Sequence, residues 1–559
     1  MDVSNPPEPW RAGYAHPGAW DAPFAPLSMP DLFARAAATH GPQPLVDFMG
    51  RRFSYDRLYR EATAFASGLQ AIGIAKGERI GIFLPNVPIY VAAYYGAMMA
   101  GAVAVNFSPL YSAAELEAQV VDSGVRVLVT LDVAALLPTA LTVLDNSPLE
   151  TLVVGSMAAL LPAFKGLALR TLGRKALTAI PVRGDVTRWD DLLSWNDPPR
   201  PVAIEPERDL ALLQYTGGTT GPPKGAMLTH QNLSANARQV EAIDPHQGGR
   251  DVIMGVLPLF HVFAMTCVMN RTVANGGCIA MLPRFAAGQA LKTLARVRAT
   301  AMPGVPTMYQ ALLDHPDLAT TDFSSLRVCI SGGAPLPDPV RDAFMQRTGA
   351  RLVEGYGLTE SAGVVATNPY EGPLQPGSIG QPIPATRLRL LDKDDPARDA
   401  PPGEPGELAV QGPQVMAGYW NRPDADADAF ATRPDGRWLR TGDVATIDAH
   451  GWVRIVDRLK DMIAVGGFKV FPSQLEDMLL THPAIREALI IGVPDPYRGE
   501  MPRAYVTVRD PVEGTALRDW LNARVGKHER VDSVVVRESL PKTMIGKLDR
   551  KALRAEAGL

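Results

Sequence analysis

Between residues 79 and 331, short apolar runs recur at 79–84, 103–105, 125–130, 152–154, 252–257, 278–282, 301–305 and 326–331, and stretches of helical periodicity separate them. Continuous apolar runs suit strands buried on both faces, and their alternation with helices predicts parallel sheets with helices packed on them. From Pro30 the spacing of Leu32, Phe33, Ala36 and Ala37 predicts a helix. Residues 1–27, rich in Pro, Gly and aromatics, read as an irregular arm.

The pattern changes after residue 375. Up to 456, short strands such as 406–410 and 452–456 stand between turns, which predicts an all-β subdomain. Beyond 457 a separate pattern of about 100 residues suggests a small α+β domain. It has a helix from Glu476, strands at 487–492 and 504–508, and a helix at 516–525. The predicted organisation is thus an N-terminal domain, 1–457, and a C-terminal domain, 458–559. At roughly 100–200 residues per unit, 559 residues make about three or four compact units.

Composition removes several function classes. A net charge of -4 gives no global positive field to attract nucleic acid. Cys267, Cys278 and Cys329 stand far from metal-ligand spacing and cannot all pair with one another, so a reduced, cytoplasmic setting is expected. The start, MDVSNPPEPW, lacks the basic and apolar regions of a secretory leader. No apolar run reaches the roughly 20 residues that a spanning helix needs.

The densest chemical signal is Tyr215-Thr216-Gly217-Gly218-Thr219-Thr220-Gly221-Pro222-Pro223-Lys224-Gly225. Glycines let backbone N–H groups approach a polyanion closely, and threonine hydroxyls and a lysine add donors. The nucleotide-hydrolase P-loop requires Ser or Thr after its lysine. Here Gly225 follows Lys224, so that motif fails. A plain Gly/Thr turn is the bland alternative.

Further motifs follow in order: Leu257-Pro258-Leu259-Phe260-His261-Val262-Phe263, Gly333-Ala334-Pro335, Glu354-Gly355-Tyr356-Gly357-Leu358-Thr359-Glu360, Gly406-Glu407-Leu408, Gly418-Tyr419-Trp420, Trp438 to Asp443, Asp457-Arg458-Leu459-Lys460-Asp461 and Leu540 to Arg550. Taken together they resemble the adenylate-forming superfamily, which includes acyl-CoA synthetases, adenylation domains of peptide synthetases and firefly-type luciferases. The chain as a whole resembles bacterial long-chain fatty-acid–CoA ligases.

The resemblance implies an ATP-dependent, AMP-forming acid–thiol ligase with Mg2+ and coenzyme A. It assigns Thr216 to Lys224 to the β- and γ-phosphates, Glu360 to Mg2+ and Thr359 to a phosphate. Gly333, Ala334, Pro335 and Tyr356, with Glu354, Gly355 and Gly357 of the same motif, would form the adenine slot. Asp443 would accept from the ribose hydroxyls, and Arg458 would assist at ribose or phosphate. Lys547 is the adenylation lysine by position. Lys460 occupies the hinge about which the C-terminal domain turns between half-reactions, and Gly466 and Gly467 would line the pantetheine tunnel.

For the acid itself, His261 and Phe263 stand where the family has the mouth of its acyl pocket. Residues 254–269 carry no Asp, Glu, Lys or Arg, which suits an apolar tunnel and equally a buried strand and helix. Residues 157–184 hold five basic residues (Lys165, Arg170, Arg174, Lys175, Arg183) and no acid among leucines and alanines. Such a segment can lie on an anionic membrane surface, peripheral to the inner face, or be a solvated helix packed on the N-terminal domain. A medium- to long-chain fatty acid is the favoured substrate. The alternatives are a dicarboxylic or aryl acid, a carrier protein in place of coenzyme A, and a non-enzymatic nucleotide binder. The oligomeric state stays open.

Overall fold

In the computed structural model, residues 8–195, 197–216, 223–246, 248–466, 468–543 and 547–559 are described. The predicted mixed α/β architecture is present, organised on four sheets. Two large sheets carry the strands expected from the apolar runs. The first has eight strands, from Gly418–Tyr419 and Lys224–Thr229 at one end through Leu210–Thr216, Val103–Asn106, Arg79–Ile82, Val125–Leu131 and Thr151–Gly155 to Val186–Arg188. The second has nine, from Gln381–Pro382 and Ala366–Thr367 through Arg351–Tyr356, Val328–Ser331, Ala301–Gly304, Val252–Gly255, Cys278–Met281 and Pro44–Phe48 to Arg51–Ser54. Their central strands are parallel, and antiparallel pairs occur only toward the ends.

Local signals set the connecting helices. Ser28 caps Met29–His40 by accepting from Asp31 N at 3.1 Å. Reciprocal side-chain and backbone bonds between Ser112 and Glu115, and between Thr229 and Asn232, start Ala113–Ser123 and His230–Ala242. One apolar core joins the helices to both sheets.

The third sheet is antiparallel, built on Arg387–Leu391, Gly406–Gln411, Gly436–Ile447, Phe430–Arg433 and Val453–Arg458. Residues 8–27 of the N-terminal arm are irregular as expected, apart from one helical turn at Pro9–Gly13, but they pack on this sheet. Trp10 and Trp20 are buried in the core of this sheet, and Trp20 Nε1 donates to the Thr386 carbonyl at 2.9 Å. The arm's aromatics find apolar partners far away in sequence, which local pattern cannot show.

Beyond a short turn at Leu459–Asp461, the fourth sheet has its own core, from Ile463 to Val534. Its strands are longer than the sequence suggests, at Ile485–Asp495 and Gly499–Val508. Its first helix, Pro472–Leu480, begins four residues before Glu476, with Pro472 as the opening helical residue. Among the described residues no helix is long and apolar enough to cross a membrane.

Candidate active site

Strands Leu210–Thr216 and Lys224–Thr229 pair antiparallel, so Thr216 and Lys224 face one another across the hairpin. On the far side of Lys224–Thr229, strand Gly418–Tyr419 sets Tyr419 opposite Ala226. The Tyr419 ring centroid is then 5.2 Å from Lys224 Nζ, within cation–π reach. Its hydroxyl donates to Glu360 Oε1 at 2.6 Å. Burial and the Glu360 charge both push the Tyr419 phenol up, so it stays a donor.

Strand Arg351–Tyr356 carries Glu354, Gly355 and Tyr356 to the same cleft. Tyr356 Oη donates to Asp443 Oδ2 at 2.5 Å. Asp443 and Arg458 are cross-strand partners in the antiparallel sheet, and Arg458 Nε lies 3.1 Å from Asp443 Oδ1. Gly442, with φ +71°, sits within strand Gly436–Ile447 where its register against Gly406–Gln411 shifts, and its N–H donates to Glu407 Oε1 at 3.1 Å. Burial pushes the Glu354 carboxyl up to about 8, so it is neutral at pH 7, and it accepts from Leu336 N at 3.3 Å. Asp477, from the C-terminal unit, is pushed up to about 6 by burial and then by Glu476 and Asp338.

Lys547 enters from the C-terminal unit. Its carbonyl accepts from Thr543 N at 2.7 Å, and its N–H donates to Thr543 Oγ1 at 3.2 Å. The side chain packs on Gly333, where an added Cβ would meet Lys547 Cε at 2.6 Å. Burial, then the Arg458 charge, pull the ammonium down to about 8, and Asp443 opposes them. The His261 ring is held down to about 3 by burial and then by Lys547, so it is neutral. Its Nδ1 accepts from Phe263 N at 3.3 Å and caps the following helix.

Thr216, Lys224, His261, Gly333, Ala334, Pro335, Glu354, Gly355, Tyr356, Gly357, Thr359, Glu360, Asp443, Arg458, Lys460 and Lys547 all line one cleft of about 1850 Å3. Gly466 does not join them. It is exposed in the turn after strand Ile463–Val465, and its N–H donates to the Arg498 carbonyl at 2.8 Å. Gly217, Gly218, Thr219, Thr220, Gly221 and Gly467 lie outside the described residues. Tyr419 stood in a motif with no role attached to it. Only the fold reveals that it touches both Glu360 and Lys224.

No group of three or more metal-ligating side chains occurs among the described residues. Glu360, with one oxygen held by Tyr419, is a cleft carboxylate joined through that ring to Lys224. That suits Mg2+, which takes one or two carboxylates plus substrate phosphates and water rather than an all-protein cage.

The lining of the same cleft also includes the apolar side chains of Val240, Phe263, Cys267, Ile330 and Val364, and Tyr370. Arg271 is buried within electrostatic reach of Cys267 and Tyr370, and its charge acts on both. Arg271 is 1% exposed and pairs with Asp244 at 2.6 Å, Asp251 at 2.7 Å and Glu241 at 3.2 Å. A π-helical stretch, Met265–Asn270, leads into it.

Sequence comparison matches residues 33–420 to the AMP-binding enzyme family and 474–547 to the AMP-binding enzyme C-terminal domain. The long-chain-fatty-acid–CoA ligase of Bacillus subtilis is 36% identical over 98% of both chains. That of Salmonella typhimurium is 38% identical over 95% of this chain and 94% of its own. Among solved structures, the anthranilate CoA ligase AuaEII in complex with anthranoyl-AMP superposes with a TM-score of 0.83. It is 25% identical and covers 96% of this chain and 98% of its own.

Proposed function

This chain belongs to the AMP-binding enzyme family, and from that premise we propose that it is an AMP-forming fatty acid–CoA ligase. Acid and ATP give acyl-AMP and pyrophosphate; acyl-AMP and coenzyme A then give acyl-CoA and AMP. The observation that carries the reading is the gathering of Lys224, Glu360, Asp443 and Lys547, from four distant segments, in one cleft whose lining is partly apolar.

In the first half-reaction a carboxylate must meet a polyanion, so cationic groups fixed in advance are the main requirement. Lys224 and Thr216 would hold the outer phosphates. Asp443, oriented by Tyr356 and Arg458, would accept from the ribose hydroxyls. Lys547 would bridge the incoming carboxylate and the α-phosphate. Glu360 would hold Mg2+, which neutralises phosphate charge when bound. Gly333, Ala334 and Pro335 leave room for a flat base beside Tyr356. In the second half-reaction the unit 458–559 would turn about Lys460 and withdraw Lys547. Burial and then Arg458 lower the Lys460 ammonium.

A medium- to long-chain acid is supported by the apolar residues in the cleft lining and by relatives that are long-chain ligases. The test is coenzyme-A-dependent AMP release across straight-chain acids, with a dicarboxylate and a benzoate included. A maximum at medium or long chains is expected. AMP release without coenzyme A dependence, or a maximum at benzoate, would refute the reading.

A further inference from the structure

We propose that Asp122 is a positioning residue for the phosphate end of the cleft, a role that rests on the reading of Thr216 and Lys224 as holders of the ATP phosphates. Asp122 is the next-to-last residue of helix Ala113–Ser123 and does not line the cleft. Its Oδ2 accepts from Tyr215 Oη at 2.6 Å, and its Oδ1 accepts from Arg422 Nη2 at 2.7 Å. Its backbone carbonyl accepts from Trp420 Nε1 at 3.1 Å. Hydrogen bonds to an ionised acceptor are the strong ones, and both carboxylate oxygens are used here.

The partners of Asp122 are the neighbours of the groups that meet phosphate. Tyr215 precedes Thr216 on strand Leu210–Thr216. Trp420 follows Tyr419, whose ring meets Lys224 and whose hydroxyl holds Glu360. Trp420 N donates at 2.8 Å to the carbonyl of Gly225, the residue after Lys224. Gly225 is also the cross-strand partner of Tyr215, and a Cβ added there would stand 3.4 Å from the Tyr215 ring and 3.5 Å from Trp420 Cβ. Asp122 therefore holds both strands of the hairpin, one through Tyr215 and the other through Trp420.

The clamp is anchored in the interior of the eight-stranded sheet. The Ser123 and Gly124 carbonyls, at the end of the helix, accept from Arg79 Nε at 2.8 Å and Arg79 Nη2 at 3.1 Å. Arg79 opens the inner strand Arg79–Ile82, and its guanidinium lies 5.5 Å from the Trp420 ring centroid. Burial and then Asp122 push the Tyr215 phenol up, so it stays the donor. A phosphate site works through donors fixed in advance. Freeing the hairpin would let Thr216 and Lys224 spread without removing any group that touches the acid. A clamp that only stabilised the fold would weaken both half-reactions together.

The test is calorimetric binding of MgATP to the full chain, with KM for ATP and for the acid in adenylation, and thioester formation from supplied acyl-adenylate. Asp122→Ala should raise Kd and KM for MgATP about tenfold, the scale of a lost hydrogen bond to a charged group. KM for the acid and the thioester step should change little. Arg422→Gln, at a side chain 37% exposed, should act in the same direction. Tyr215→Phe should raise Kd about threefold alone and add nothing to Asp122→Ala, because the two changes break one path. Unchanged MgATP affinity in Asp122→Ala and Arg422→Gln overturns the proposal. So does an additive Tyr215→Phe, which would put that hydroxyl on ATP itself. A loss shared by both half-reactions, with a lowered melting temperature, would make Asp122 structural and overturn it too. Wild-type protein that binds MgATP but releases no pyrophosphate with any acid would refute the ligase reading, and the calorimetric comparison would still decide the role of Asp122.

Discussion

Lys547 packs against Gly333, so close that a Cβ there would meet Lys547 Cε at 2.6 Å. The lysine lies 214 positions away in sequence (547 minus 333), at the far end of the C-terminal unit. The two units are therefore arranged with Lys547 inside the cleft that holds Asp443 and Arg458. Lys547→Ala should reduce pyrophosphate release from acid and ATP by about a hundredfold or more, the scale of a lost charge-stabilising contact. Thioester formation from supplied acyl-adenylate should persist. Equal loss of both half-reactions would remove Lys547 from the adenylation step.

The same lysine sets a pH limit. Burial, then Arg458, bring its ammonium down to about 8, so it loses its proton as pH rises through that value. kcat/KM for adenylation, which reports the free enzyme, should fall above about pH 8. Lys547→Arg keeps its charge across this range and should move the alkaline limb up, even where the rate is lower. A limb that stays in place in Lys547→Arg would assign it to another group.

Glu354 gives a second pH signature, in stability. Its folded-state value, about 8, lies above the ordinary glutamate range because of burial. The folded chain therefore binds a proton that the unfolded chain has already lost. That contribution is intact below about pH 4.5 and disappears as pH rises to about 8. Glu354→Gln, neutral at every pH, should lessen the decline in melting temperature between pH 6 and 8. A decline as steep as in the wild type would show that Glu354 is ionised when folded.

The sequence made the central strands legible because they are buried on both faces, where a continuous apolar run is the whole signal. The run at 125–130 becomes Val125–Leu131, and that at 278–282 becomes Cys278–Met281. The cleft was legible through motif order, since backbone approach, charge and hydroxyls must come from fixed residue types. Contacts made across the fold were not. Trp10 and Trp20 read as parts of an arm until the third sheet supplies their partners. Arg271 carries no local sign of three carboxylates, two of them on the chain between the helix His230–Ala242 and the strand Val252–Gly255.

Tyr419 was similarly hidden, and its position makes a sharp test. Its hydroxyl donates to Glu360 Oε1 at 2.6 Å while its ring lies under Lys224. Tyr419→Phe keeps the ring and removes the donor to a charged acceptor, a bond worth about 1.5–3 kcal/mol. Glu360 then loses its orienting partner. The Mg2+ concentration for half-maximal adenylation should rise about tenfold, with KM for the acid little changed. An acid KM that rises in step would place Tyr419 against the acid instead.

The charge of Arg271 reaches Cys267 and Tyr370 in the cleft lining, which makes it the cation a second carboxylate would seek, but that charge is already answered. Asp244 and Asp251 hold it at 2.6 Å and 2.7 Å, and Glu241 stands at 3.2 Å. A dicarboxylate entering past Cys267 and Tyr370 would bring a fourth anion to a cluster in which Arg271 and Arg327 already share three carboxylates, and would lose its hydration without gaining a free partner. Dicarboxylates should therefore have kcat/KM at least about a hundredfold below monocarboxylates of the same length. Arg271→Leu should not convert the specificity. It should destabilise the fold, because it leaves Arg327 as the remaining guanidinium on Asp244 and Asp251, at 3.4 Å and 2.7 Å, and takes the cation from Glu241. A dicarboxylate used as well as its monocarboxylate, and lost selectively in Arg271→Leu or in the milder Arg271→Lys, would make Arg271 a substrate-binding residue. The cleft would then be built for a charged terminus.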